Sequence, residues 1–96
     1  MTGPDVFSFR IYVAGDTQNS TLALANIAAL CRTYLPDRYR IEIIDILKEP
    51  KRAAADGVLM TPTLIKFSPA PIRKILGTLN KTEIVLQALG LEAIAV

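Results

Sequence analysis

A proline at position 62 divides the apolar run from Gly57 to Phe67, and that interruption constrains the chain more than any other feature. Proline has no amide hydrogen and a fixed φ, so it is poorly placed inside a strand ladder and well placed at its first position. Residues 57–67 therefore cannot form one long buried strand. The strand is expected over Thr63 to Phe67, with a turn before it.

Other segments declare themselves by period. In Val6 to Val13, Phe7, Phe9, Ile11 and Val13 fall on one side and Ser8, Arg10 and Tyr12 on the other, which predicts a strand with one strongly apolar face. Turn-forming residues follow, with Asn19 or Ser20 as the expected helix cap. Leu24, Ile27, Ala28, Cys31 and Leu35 then recur at helical spacing. Arg32 is the only charged residue between Ser20 and Leu35, leaving Leu22, Ala25 and Ala29 on flanks that a surface helix normally charges. Either small alanines tolerate water there or a partner covers the helix.

Residues 39–46, dense in isoleucine, predict a second strand. Pro50 suits the first turn of a short helix, where its missing donor costs nothing, and Gly57 suits that helix's end. Beyond the turn Ser68-Pro69-Ala70-Pro71, residues 72–76 predict a fourth strand. Asn80 and Glu83 read as a capping box for a last helix, with Leu79 and Ile84 stapling its entry and Gly90 closing it after Leu89. Residues 91–96 are mostly apolar.

This order, βαβαββα, predicts an α/β chain forming one domain over residues 1–96. It is the layout of a thioredoxin-like domain, with a right-handed crossover setting the first helix on a central sheet. Pro62 falls where that fold keeps a cis residue, so a cis Thr61–Pro62 bond is expected.

The chemistry of that fold is missing. A thiol enzyme needs Cys-X-X-Cys at the first turn of the first helix, where the helix N-terminus stabilises a thiolate. Here the turn is Thr17-Gln18-Asn19-Ser20, and the single cysteine, Cys31, lies on the apolar stripe as a core residue. With no histidine, neither a Ser-His-Asp arrangement nor a transition-metal site is expected. The carboxylates are dispersed, no phosphate-binding glycine pattern occurs, and no cofactor is implied. A net charge of +2 does not announce nucleic acid, although Lys66, Arg73 and Lys74 suggest a small basic patch. No membrane span or secretion signal is visible, so the expected setting is cytoplasmic. A composition of 51% hydrophobic residues is high for so small a chain and suggests a subunit interface. The chain reads as a recognition module rather than an enzyme, with a redox protein using Cys31 alone as the alternative.

Four stretches sharpen this reading: Tyr12-Val13-Ala14-Gly15 with Thr17 and Asn19-Ser20, Ile44-Asp45-Ile46-Leu47-Lys48 with Pro50, Thr61-Pro62-Thr63-Leu64 with Lys66, and Pro69, Pro71, Arg73-Lys74-Ile75, Gly77 and Leu79. In this order and at these intervals the chain, from about Phe7 to Leu89, closely resembles the KaiB family. The resemblance implies a non-enzymatic clock protein that partners the ATPase KaiC. It also implies two folds. One is a ground state that assembles into dimers and tetramers. The other is a thioredoxin-like monomer that docks on the ATPase ring, competing with the KaiB-like sensor domain of a histidine kinase and, in cyanobacteria, engaging KaiA. The half that rearranges corresponds to about Pro50 onward. Its strand-forming pieces, residues 62–67 and 71–76, are short, and a few kcal/mol between two packings is enough for a partner to reverse the population.

On the positions that match, the resemblance implies partner contacts at Lys48, Pro50, Asp56, Lys66 and Arg73, and a fold-switch hinge at Gly77 and Thr78. Many members have Gly-Asp where this chain has Gly77-Thr78, and often Lys where Gly57 follows Asp56. These departures point to a paralogue or to a homologue outside the standard oscillator, such as a stress-response adaptor of another ATPase or of a sensor kinase. They count against KaiA as a partner.

Overall fold

A computed structural model describes residues 6–91. The elements run β1 (Phe7–Val13), α1 (Gln18–Tyr34), β2 (Tyr39–Asp45), α2 (Pro50–Ala55), β3 (Thr63–Ser68), β4 (Arg73–Leu76) and α3 (Thr82–Ala88). They form a four-stranded sheet in the order β2-β1-β3-β4, with β1 and β2 parallel and the other pairs antiparallel.

The alternation read in β1 sets both faces. Phe7, Phe9, Ile11 and Val13 point to a core completed by Leu64 of β3, by Ala23, Ile27, Leu30 and Cys31 of α1, and by Val85 and Leu86 of α3. Tyr12 points the other way into a smaller cluster with Ile44, Ile65 and Ala53 of α2. The sheet is thus covered by two helices on one face and by a six-residue helix on the other.

Several boundaries differ from the sequence reading. The cap of α1 is Thr17 rather than Asn19 or Ser20: its backbone is extended (φ −58°, ψ 151°), and its hydroxyl accepts from the Ser20 N–H at 3.4 Å. Ser20 is buried instead. Ala23 and Leu30 are buried, while Leu24 and Ala28 are half-buried, so the inward stripe of α1 is turned by about one residue. The capping box at Asn80 does not form, because α3 starts at Thr82 after Lys81 with no side-chain cap. The staple fails too, since Leu79 is buried and Ile84 is 57% exposed. β2 ends at Asp45, whose carbonyl accepts from the Lys48 and Glu49 N–H groups as the chain turns, and Ile72 precedes β4. Pro50 at the first turn of α2, and Gly57 with φ +70° beyond its end, stand as read. Gly90 (φ +76°) follows α3, and Leu91 N–H donates to Leu86 O at 2.7 Å. The rest of the apolar tail, with Glu92, lies outside the described residues. Among the described residues no helix is long and apolar enough to cross a membrane.

Candidate functional site

The loop joining β1 to α1 stands where a thioredoxin-like enzyme would carry its thiols. Two hydroxyls at the same i, i+3 spacing occupy it. Thr17 Oγ1 donates to Ser20 Oγ at 2.8 Å, and Ser20 Oγ also accepts from the Ala14 N–H at 3.1 Å. Asp45 ties the neighbouring loops, accepting from the N–H groups of Gly15 (3.2 Å) and Leu47 (2.9 Å). Tyr12 lies opposite Thr63 in the β1–β3 ladder, so the Thr61–Pro62 peptide, which is cis, sits at this same end of the sheet. The hydroxyls are bonded to each other and to the backbone, which makes the loop a joint between β1 and α1.

Cys31 is fully buried, and burial pushes its thiol up to about 11. A thiolate is the reactive form, and both access and ionisation oppose it here. No group of three or more metal-ligating side chains is found among the described residues.

The more elaborate chemistry lies under and beside α2. Arg10 bridges Glu42 (Nε to Oε1, 3.2 Å) and Asp56 (Nη1 to Oδ2, 2.9 Å), while its guanidinium stacks 4.3 Å above the Phe67 ring. Arg52 holds Glu42 at 2.8 Å and Glu49 at 3.4 Å. The Tyr12 hydroxyl donates to Asp56 Oδ2 and lies 3.2 Å from Arg52 O, and Lys74 Nζ donates to Asp56 O at 2.7 Å. The Tyr12 hydrogen bond, with Arg10 beside it, holds the Asp56 carboxyl below the ordinary range. Arg52 does the same to Glu42. Burial, reinforced by Asp56, pushes Tyr12 up to about 12. Asp56 and Glu42 are thereby held ionised, and Tyr12 neutral, at neutral pH.

The residues expected to contact a partner are dispersed over this scaffold. Lys48 and Pro50 are exposed at the entry to α2, and Asp56 ends it with its side chain only 19% accessible. Arg73 is exposed on β4. The basic patch of Lys66, Arg73 and Lys74 does not form. Lys66 pairs with Arg73 and Ile65 with Lys74 in the β3–β4 register, so strand alternation puts Lys66 and Lys74 on opposite faces. Lys66 is 3% exposed, its amine 3.4 Å from Leu89 O and 5.6 Å from the Phe7 ring centroid, and burial lowers its pKa. It ties β3 to the end of α3.

Gly77 takes φ +103°, open to glycine and hostile to other residues. Thr78 O accepts from Asn26 Nδ2 at 2.8 Å, and the buried Leu79 holds φ +63°, a left-handed conformation costing a leucine about 1–2 kcal/mol. This junction between β4 and α3 is strained at Leu79, which packs in the same core as α1, and Asn26 of α1 bonds to it. Sequence reasoning missed Arg10, Tyr12, Glu42, Arg52 and Asn26. The polar side of β1 was the available signal, but the ion pairs depend on strand register.

Residues 10–91 match the KaiB domain. The chain is 44% identical to the circadian clock protein KaiB3 of a Synechocystis species over 85 residues, 88% of this chain and 81% of that protein. It is 40% identical over 91 residues to the circadian clock oscillator protein KaiB of Prochlorococcus marinus, 95% of this chain and 78% of that one. Among solved structures, the N-terminal domain of Synechococcus elongatus SasA is similar (TM-score 0.74, 12% identity, 97% of this chain and 91% of that domain). So is mitochondrial thioredoxin 3 of Saccharomyces cerevisiae (TM-score 0.71, 17% identity, 90% of this chain and 79% of that one). The fold is α/β and thioredoxin-like.

Proposed function

The chain belongs to the KaiB family of circadian clock proteins, and from that premise we propose that it regulates a KaiC-type ATPase by binding it, without catalysing a reaction itself. The observation that carries this reading is the pair Thr17 and Ser20 in the thiol position, with the one cysteine sealed in the core. A redox scaffold has kept its architecture and lost its sulfur chemistry, which leaves surface recognition as its use.

The docking surface in this reading is the face around α2, with Lys48 and Pro50 at its entry, Asp56 as its fixed acidic anchor and Arg73 at the neighbouring edge. Lys66 enters differently. Its amine lies 3.4 Å from Leu89 O at the end of α3, within the half of the chain that rearranges in this reading. The strained junction at Gly77, Thr78 and Leu79 is the proposed hinge of a switch to an alternative ground-state fold, and residues 1–96 act as one domain. The setting is cytoplasmic, the protein self-associates, and a KaiB-like sensor histidine kinase is a competitor for the same surface. KaiA is left out, as Gly57 and Thr78 depart from the pattern of the members that engage it.

Size-exclusion chromatography of the chain with a KaiC-type hexamer from its own genome tests the reading. Co-elution that is lost on Lys48→Glu is expected. Absence of binding after prolonged incubation, together with rapid native labelling of Cys31 at neutral pH, would overturn it in favour of thiol chemistry.

A further inference from the structure

The β3–β4 register sets Lys66 directly opposite Arg73. Opposed residues of neighbouring strands carry their side chains on one sheet face with Cβ atoms about 5 Å apart, and two like charges so placed repel. Lys66 is also buried, which adds a desolvation cost to that repulsion. After burial, Arg73 is the second cause of its lowered pKa.

Other cations of this sheet are answered. Arg10 has the carboxylates of Glu42 and Asp56, and Lys74 has the Asp56 carbonyl. Lys66 has only a neutral carbonyl at 3.4 Å and the Phe7 ring, and neither Lys66 nor Arg73 has an ion pair among the described residues. Both line one cavity of about 420 Å³, together with Pro71 and with Ile84, Gln87 and Ala88 of α3. No carboxylate lines it. Two cations held together without a counter-charge, at a cavity of the size small ligands occupy, leave an anion as the missing part.

We infer that this cavity binds a small organic phosphate monoester. A guanidinium presents paired donors to two oxygens of a tetrahedral anion, and an ammonium presents a point charge to a third. A phosphate monoester has three acceptor oxygens and a charge of about −1.5 to −2 at neutral pH, which answers both cations. A carboxylate carries a single charge and leaves one of them opposed. Pro71, Ile84 and Ala88 give the ester's carbon part an apolar wall, and the Gln87 amide supplies a further polar group. The cavity is on the α3 side of the sheet and shares only Arg73 with the docking surface proposed around α2, so it does not depend on that reading.

Nitrogen-15 NMR titrations of the whole chain at constant ionic strength test this with phenyl phosphate, inorganic phosphate and phenylacetate. Phenyl phosphate is expected to saturate with a Kd below about 1 mM, shifting the amides of Lys66, Arg73 and Gln87 first. Phenylacetate should bind at least about tenfold more weakly, and inorganic phosphate, lacking the carbon part, several-fold more weakly. Lys66→Met and Arg73→Gln should each weaken phenyl phosphate at least about tenfold with circular dichroism unchanged, whereas Lys51→Gln, an exposed cation on α2, should leave the affinity as it is. No saturation by about 10 mM, or equal weakening by all three variants, overturns the site. Equal affinity for phenylacetate overturns the phosphate class, and a phosphoserine peptide binding at least about tenfold tighter than phenyl phosphate overturns a small molecule as the source.

Discussion

On one face of the sheet, Phe9, Ile11 and Leu64 meet two helices through a mainly apolar core into which Lys66 brings its amine. On the other, Tyr12, Ile44 and Ile65 are covered mainly by Ala53 of a short helix, and the rim is finished by Arg10, Glu42, Arg52 and Asp56. The first face has no directional demand beyond shape. The second depends on donor and acceptor geometry, and its charges keep part of their contact with water. A fold that must be stable and also present a docking surface can place the two tasks on opposite sides of one sheet, because strand alternation makes the faces independent.

The largest effect that sharpens this contrast is expected from Ile27→Ala on the hydrocarbon face. Removing a buried side chain there should cost about 3–4 kcal/mol in urea unfolding, and a loss under 1 kcal/mol would mean that α1 is not clamped as described. Gly77→Ala comes next. It forces a side chain into φ +103° and should cost about 1–3 kcal/mol. In a two-state chain it should also raise the population of any fold in which residue 77 has negative φ, seen as a second set of NMR peaks.

The charged face should be less costly to damage. Asp56→Asn removes the acceptor shared by Tyr12 and Arg10, and about 1–2 kcal/mol is expected after allowing for its partial exposure. The pH dependence has a definite sign. The folded pKa of Asp56 lies below its unfolded value, so its contribution is complete above the ordinary carboxylate range and disappears as pH falls through the depressed value. The variant should therefore show a shallower acid branch of stability against pH. An unchanged branch would break the assignment.

The smallest effect concerns the exception on the apolar face. Lys66→Met removes a buried ammonium whose one hydrogen bond is long, so stability should change by no more than about 1 kcal/mol, in the favourable direction. The folded pKa of Lys66 is lowered, so wild-type stability should rise with pH from that value toward the unfolded one near 10.5. The variant should lack that rise. A marked loss instead would mean that Lys66 holds α3 in place.

Much of this was legible in the residues. Alternation in Phe7 to Val13, the proline stop at Pro62 and the glycine at position 57 locate their elements because each is a local constraint of backbone chemistry. The α3 entry was misread because Asn80 and Glu83 carry the right side chains for a cap, while buried Leu79 takes a left-handed turn that delays the helix. Local propensity lost there to packing. The ion-pair site was harder still: Arg10 and Asp56 are 46 positions apart, and nothing in either neighbourhood announces the other.

From the order of residues alone came the βαβαββα sequence of elements, the loss of the thiol pair at Thr17 and Ser20, and the strand start at Thr63. These are fixed by spacing, by the absence of particular side chains and by proline's missing donor. Tertiary structure alone decided that Lys66 turns inward while Arg73 and Lys74 remain exposed, that Tyr12 is buried beneath α2, and that β2 keeps an open edge. Those outcomes depend on register and layer, and a single chain read along its length carries no record of which strand will lie beside which.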